Sequence, residues 1–248
     1  MPVQLDQLVE RLKKAFGGDL ISVVLYGSAA VGDHHGKFSD YNVLCVLKQI
    51  TPTQLGASEA IFRWWREQGN PSPLLLTEHE VRTSTDCFAV EFHDIKEHNR
   101  LLHGADVVSS LVIDNSFYRA QVEHDLRAKL LRLRQKASGI LSDKEVLCRL
   151  LVDSVSTFCV LFRHALILRG EATAPARKRD VIERAHVRFG IDASPFRTLL
   201  DLREERVKSK DIDPVALLAQ YLNEIGSVID AVDVLEKVAT LENSGPET

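Results

Sequence analysis

The 248-residue chain lacks most signatures of the commoner cofactor and hydrolase chemistries. No G-x-G-x-x-G follows its first apolar run, and G-x-x-x-x-G-K-[ST] and G-x-S-x-G are absent. Dinucleotide, P-loop and α/β-hydrolase readings therefore have no key residues. There are only four cysteines (Cys45, Cys87, Cys148, Cys159), none in a C-x-x-C pair. Their apolar surroundings mark them as small buried hydrophobes of a reducing compartment, not a disulfide frame or a zinc site. His34 and His35 are adjacent and His93, His98 and His103 evenly spaced, but none fits His-Glu-x-x-His or a zinc spacing. They read as exposed or locally hydrogen-bonded side chains. The opening MPVQLDQLVERLKK has no apolar h-region, and no apolar run is expected to approach membrane-spanning length. A cytoplasmic protein with no membrane partner is expected. A net charge of -4 gives no reason for general nucleic-acid binding.

What is present divides in two. Up to Ile113 there are 10 basic and 14 acidic residues, and beyond it 21 of each, so the first part carries the whole acidic excess. In that part, Leu5, Leu8, Val9, Leu12 and Phe16 mark an amphipathic helix stopped by Gly17-Gly18. Leu20 to Tyr26 and Tyr41 to Lys48 read as buried strands, with an exposed loop from Ala29 to Ser39 between them. Pro52 starts a helix through Gln68, and Leu74 to Thr77 is a short strand. The capping-box spacing of Thr77 and Glu80 predicts a brief helix.

Cys87 to Ile95 alternates and reads as a strand with Glu91 at its centre, and Asp106 to Ile113 reads as a last strand. After Asp114 only helices are predicted, near 115–138, 143–169, 176–189, 195–207 and 214–241. Ser142 with Glu145, Ser194-Pro195 and Asp213-Pro214 mark three starts. The fold class is α+β: a mixed-sheet domain with flanking helices over 1–113, a helical bundle over 114–243, and a disordered tail over 244–248.

One stretch carries chemistry. Leu20 to Leu47 is a strand, then Gly27-Ser28, then a polar loop with Gly32, then Ser39-Asp40-Tyr41-Asn42 opening a second strand. Such a pair of strand ends can hold a phosphate and a metal side by side. This pattern, with a strand carboxylate further on at Glu91, resembles the signature of the polymerase-β-like nucleotidyltransferase superfamily. The trailing helices resemble those of small bacterial members such as aminoglycoside nucleotidyltransferases. The resemblance implies a nucleoside triphosphate substrate, ATP first among them, with Mg²⁺. It implies transfer of a nucleoside monophosphate to a hydroxyl of a small molecule, protein or RNA.

The physical logic assigns the roles. Nucleotidyl transfer needs charge neutralised on the leaving pyrophosphate and an aligned acceptor oxygen. Gly27 and Ser28, with Ser39, would hold phosphate, since glycine has no Cβ to keep backbone N–H groups from phosphate oxygens. Asp40 and Asn42, two apart on a strand, share a side and would share the metal with Glu91. Asp40 and Glu91 would be the catalytic acids, Glu91 helping to deprotonate the acceptor. Two departures weaken catalysis. Asn42 stands where the family has its second acid, and the usual loop arginine is missing, with Val31 near its place. A catalytically degenerate nucleotide-binding or regulatory module is the alternative.

In the helical half, Arg127, Lys129, Arg132, Arg134 and Lys136 crowd one helix, and Arg177-Lys178-Arg179 open another. Interleaved Leu126, Leu130 and Leu133 suit an ordinary solvated bundle face. The sharper reading has Lys178 reaching the triphosphate from this half, across a cleft between the domains. The helices also offer a surface for self-association.

Overall fold

The structure, a computed structural model, describes residues 3–31, 41–171 and 177–243. Gly32, His34, His35, Ser39, Asp40 and the tail from 244 lie outside the described residues, as does the side chain of Ser28. The chain separates into two compact units, Met1–Phe117 and Tyr118–Thr248.

The first unit runs α1 (Val3–Phe16), β1 (Leu20–Tyr26), β2 (Asn42–Leu47), α2 (Pro52–Glu67), β3 (Leu74–Thr77), α3 (Glu78–Thr83), α4 (Ala89–Glu97) and β4 (Asn99–Gly104). The strands form one mixed sheet in the order β3-β2-β1-β4. The β1–β2 and β1–β4 pairs are antiparallel, and β2–β3 is parallel.

β1 and β2 are apolar on both sides because both faces of the sheet are covered. Val23, Leu25, Val43, Cys45 and Leu47 face Leu5, Leu8, Leu12, Phe16, Ile61 and Trp65 of α1 and α2. Val24, Leu44 and Val46 face Val81 of α3 and Phe92 and Ile95 of α4. The capping box of Thr77 and Glu80 is formed at the start of α3.

The predicted strand Cys87–Ile95 is instead helix α4. Its apolar residues satisfy two periods, and Ala89, Phe92 and Ile95, three apart, are buried together with Val90, a helical face and not a strand's alternation. Asp106–Ile113 is also not a strand. The Asp106 carboxylate accepts from the N–H groups of Val108 and Ser109 and from the Ser109 hydroxyl, which bends the chain where a ladder would need it extended. The fourth strand lies earlier, at Asn99–Gly104, an exposed edge with little apolar alternation. Cys87 is exposed, not buried, and its N–H is held by Asp86.

The second unit is helical: α5 (Tyr118–Ser138), α6 (Lys144–Leu168), α7 (Lys178–Phe189), α8 (Ser194–Arg203) and α9 (Pro214–Asn243). α6 is central, packed by the other four, and an aromatic group of Phe158, Phe162, Phe196 and Tyr221 fills the core. Asp143, not Ser142, caps α6, its carboxylate accepting from the Val146 N–H. By length and composition Pro214–Leu235 is apolar enough to cross a membrane, at mean hydropathy 1.2, against the expectation of no such run. The residues responsible are largely core: Leu217, Leu218, Tyr221, Ile225, Val228, Ile229 and Val232 are buried at helical spacing.

Candidate functional site at the ends of β1 and β2

Tyr26, the last residue of β1, sits between two asparagines, opposite Asn42 of β2 and Asn99 of β4. Side chains alternate along a strand, and Val24 and Leu44 face α4, so Tyr26 and Asn42 point to that same face. α4 lies over it and brings two acids. Glu91 is in its first turn, and Asp94 lies one turn on, three residues away on the same side of the helix. Burial, and then the negative charges of Glu91 and Asp94, push the Tyr26 phenol up to about 12. The face therefore carries an amide, a neutral phenol and two carboxylates.

The Gly-Ser turn closes this group. Gly27 has φ +76°, a left-handed conformation that strains any residue with a Cβ. Space is not what requires the glycine, since a Cβ would meet only Asn42 Nδ2 at 3.4 Å, an ordinary contact. Its N–H donates to the His98 carbonyl at the end of α4 (2.9 Å), and its own carbonyl accepts from Ala30 N–H (3.0 Å). The Gly27 amide is thus committed to the fold. The amides of Ser28 and Ala29 open a short 3-10 turn directly after it.

β2 is held at its entrance. The Tyr41 N–H donates to Asn70 Oδ1 (3.1 Å), and Asn70 follows directly on the turn that ends α2. The Tyr41 ring packs on Trp65, whose centroid is 6.1 Å away, and Arg11 lies over Trp64 at 4.2 Å. This aromatic group fixes the segment that places Asn42.

Of the residues singled out from sequence, Gly27, Asn42 and Glu91 come together here. Glu91 arrives on a helix rather than a strand. Ser39 and Asp40 lie outside the described residues. Lys178 is half-buried at the first position of α7, and its charge, with that of Arg203, opposes the burial that pushes the buried Cys159 thiol up to about 12. Arg179 beside it is tied to Asp201 and Glu204. Asp94 and Tyr26 were missed. The i, i+3 spacing of Ala89, Phe92 and Ile95 would have revealed Asp94, because on a helix it must accompany Glu91. Among the described residues no three His, Cys, Asp or Glu side chains are grouped to hold a metal ion. The donors that fit a hard cation are the Asn42 amide oxygen and the Glu91 and Asp94 carboxylates.

The fold is shared with a solved structure, spectinomycin adenyltransferase AAD(9) from Enterococcus faecialis with ATP and spectinomycin. The TM-score is 0.60 at 13% identity, over 93% of this chain and 98% of that one. A likeness of that extent shows that the two chains share a fold. A toxin–antitoxin structure with AMP-PNP also matches at 14% identity, over 56% of this chain and 96% of that one. Its TM-score of 0.30 is too low to add to the comparison. No protein-family profile and no curated protein sequence matches the chain.

Proposed function

We propose that this protein binds ATP with Mg²⁺ and transfers the nucleoside monophosphate to a hydroxyl of a small-molecule acceptor. The observation that carries the reading is the convergence of Asn42, Glu91 and Asp94 around Tyr26, beside the Gly27-Ser28 turn, on one face of the sheet. The ATP and spectinomycin held by the structural neighbour support a nucleotide and a hydroxyl-bearing acceptor.

Asp40, Asn42 and Glu91 would hold the Mg²⁺, which neutralises the phosphate oxygens when bound. Ser28 and Ala29 would offer amides to the phosphates, with Ser39 alongside. Glu91 would accept the proton of the acceptor hydroxyl as its oxygen bonds to the α-phosphorus and the bond to pyrophosphate breaks. Tyr26, kept protonated well above neutral pH, would supply a hydrogen bond and not a charge. Calorimetric titration of the whole chain with ATP and Mg²⁺ tests this: binding that weakens sharply in both Asp40→Ala and Glu91→Ala is expected. Absence of binding, or indifference to both substitutions, sinks the site.

Asn42 favours a second reading, a nucleotide-binding regulatory module without turnover. A neutral ligand at the shared position removes one negative charge from a site that must bind hard cations. A reaction with labelled ATP and small hydroxylated acceptors separates the two: label transferred to an acceptor excludes the second.

A further inference from the structure

The basic face of α5 is not a uniformly solvated helix surface. Glu123 engages two of its arginines, Arg119 and Arg127. Lys129, Arg132 and Lys136 form no ion pair among the described residues, and these three line a cavity of about 190 Å³ between α5 and α6. They recur at i, i+3 and i+7, so they share one side of the helix. The opposite wall is Leu150, Asp153, Ser154 and Thr157 of α6, and buried Leu133 and Phe158 form an apolar floor.

We propose that this cavity binds the phosphate monoester of a small organic molecule, independently of the site on the first unit. Charge sets the ligand's head. Three cations stand against the single carboxylate of Asp153, an excess of two, which a doubly charged phosphate satisfies and a carboxylate does not. The Arg132 guanidinium offers a planar fork to two phosphate oxygens, while the two lysines supply point charges. Thr157 adds a hydroxyl at the rim. The Ser154 hydroxyl is already spent, donating to the Leu151 carbonyl (2.8 Å) and lying 3.2 Å from the Tyr221 hydroxyl.

The apolar floor sets the ligand's body. The surface that the cavity exposes is mostly apolar, and inorganic phosphate alone would leave it facing water, whereas a ring or short alkyl group covers it. A volume of about 190 Å³ admits a phosphate head with part of one ring.

The test is calorimetric titration of the whole chain with phenyl phosphate, inorganic phosphate and benzoate. Phenyl phosphate is expected to bind most tightly of the three. Arg132→Glu should weaken it by about tenfold or more, the scale of one charge-assisted hydrogen bond. Arg149→Glu makes the same charge change on α6 outside the cavity, where Arg149 is exposed and paired with Glu145, and should change affinity less than about twofold. All these side chains are exposed, and unfolding curves of both variants should overlay that of the parent. Equal binding of benzoate overturns the charge assignment, and equal binding of inorganic phosphate overturns the apolar floor. No binding of phenyl phosphate, or equal losses in the two variants, overturns the site. A single-stranded RNA that binds more tightly than phenyl phosphate and loses equally in both variants would make this a nucleic-acid surface instead.

Discussion

The Tyr26 phenol at the end of β1 is kept protonated to about pH 12 by burial first and then by the Glu91 carboxylate from the first turn of α4, with Asp94 beside it. Two elements distant in sequence are thereby joined electrostatically at one point. The sign of the pH dependence follows. An unfolded tyrosine loses its proton near 10 and the folded one near 12, so the phenol's contribution to stability is complete below pH 10 and is lost as pH rises to 12. Its upper bound is about 2–3 kcal/mol. Spectrophotometric titration of tyrosinate should show this group moving down in Glu91→Gln. The alkaline loss of stability should be smaller in Tyr26→Phe than in the parent. Identical titration curves for parent and Glu91→Gln would break the link.

Two glycines near the sheet should respond differently to alanine. Gly27 needs its left-handed φ but has room, so Gly27→Ala should cost about 1–2 kcal/mol, the strain of that conformation alone. Gly104, at φ +83°, would place a Cβ 2.0 Å from the Ile21 carbonyl oxygen, which backbone cannot yield cheaply. Gly104→Ala should therefore have the lower denaturant midpoint by a clear margin. A reversed order would mean that β4 is not held against β1 at this register.

Asn70 acts on the site through Tyr41. Removing its carbonyl in Asn70→Ala leaves the Tyr41 N–H without that acceptor and should cost about 1 kcal/mol in stability. ATP affinity should fall by more than the stability change explains, because Asn42 is the next residue. Affinity that tracks stability alone would reduce Asn70 to a structural part.

Restoring the acid at position 42 probes the site's charge. Asn42→Asp should tighten Mg²⁺-dependent ATP binding, since a hard cation gains an anionic oxygen in place of a neutral one. The readout is ATP affinity measured across a Mg²⁺ series. If the series is flat in both proteins, the cation does not bind at this position.

Much of this was legible in the residues, and the failures share a cause. β1 and β2 announce themselves as continuous apolar runs because both their faces are buried, and the turn between them is written in Gly27. Proline at Pro52 and Pro214 marks helix starts that the fold uses. The segment from Cys87 to Gly104 misleads because nine residues can satisfy periods of two and of three at once. What settles it is the sheet face that Phe92 and Ile95 must cover, a long-range fact. Glu91 is singled out by its chemistry but misplaced by its periodicity, and Asp94 is overlooked with it. Asp106 illustrates the opposite limit, a single side chain whose local hydrogen bonds outweigh the apolar residues that follow.

The hydrogen bond from Gly27 to His98 has a mechanical consequence. His98 ends the helix that carries Glu91, so that bond ties the turn to the helix bearing the acid. A ligand that draws this helix inward is expected to perturb the Gly27 amide. The exchange rate of that one amide proton with solvent then becomes a gauge of occupancy that can be read without any chemistry taking place.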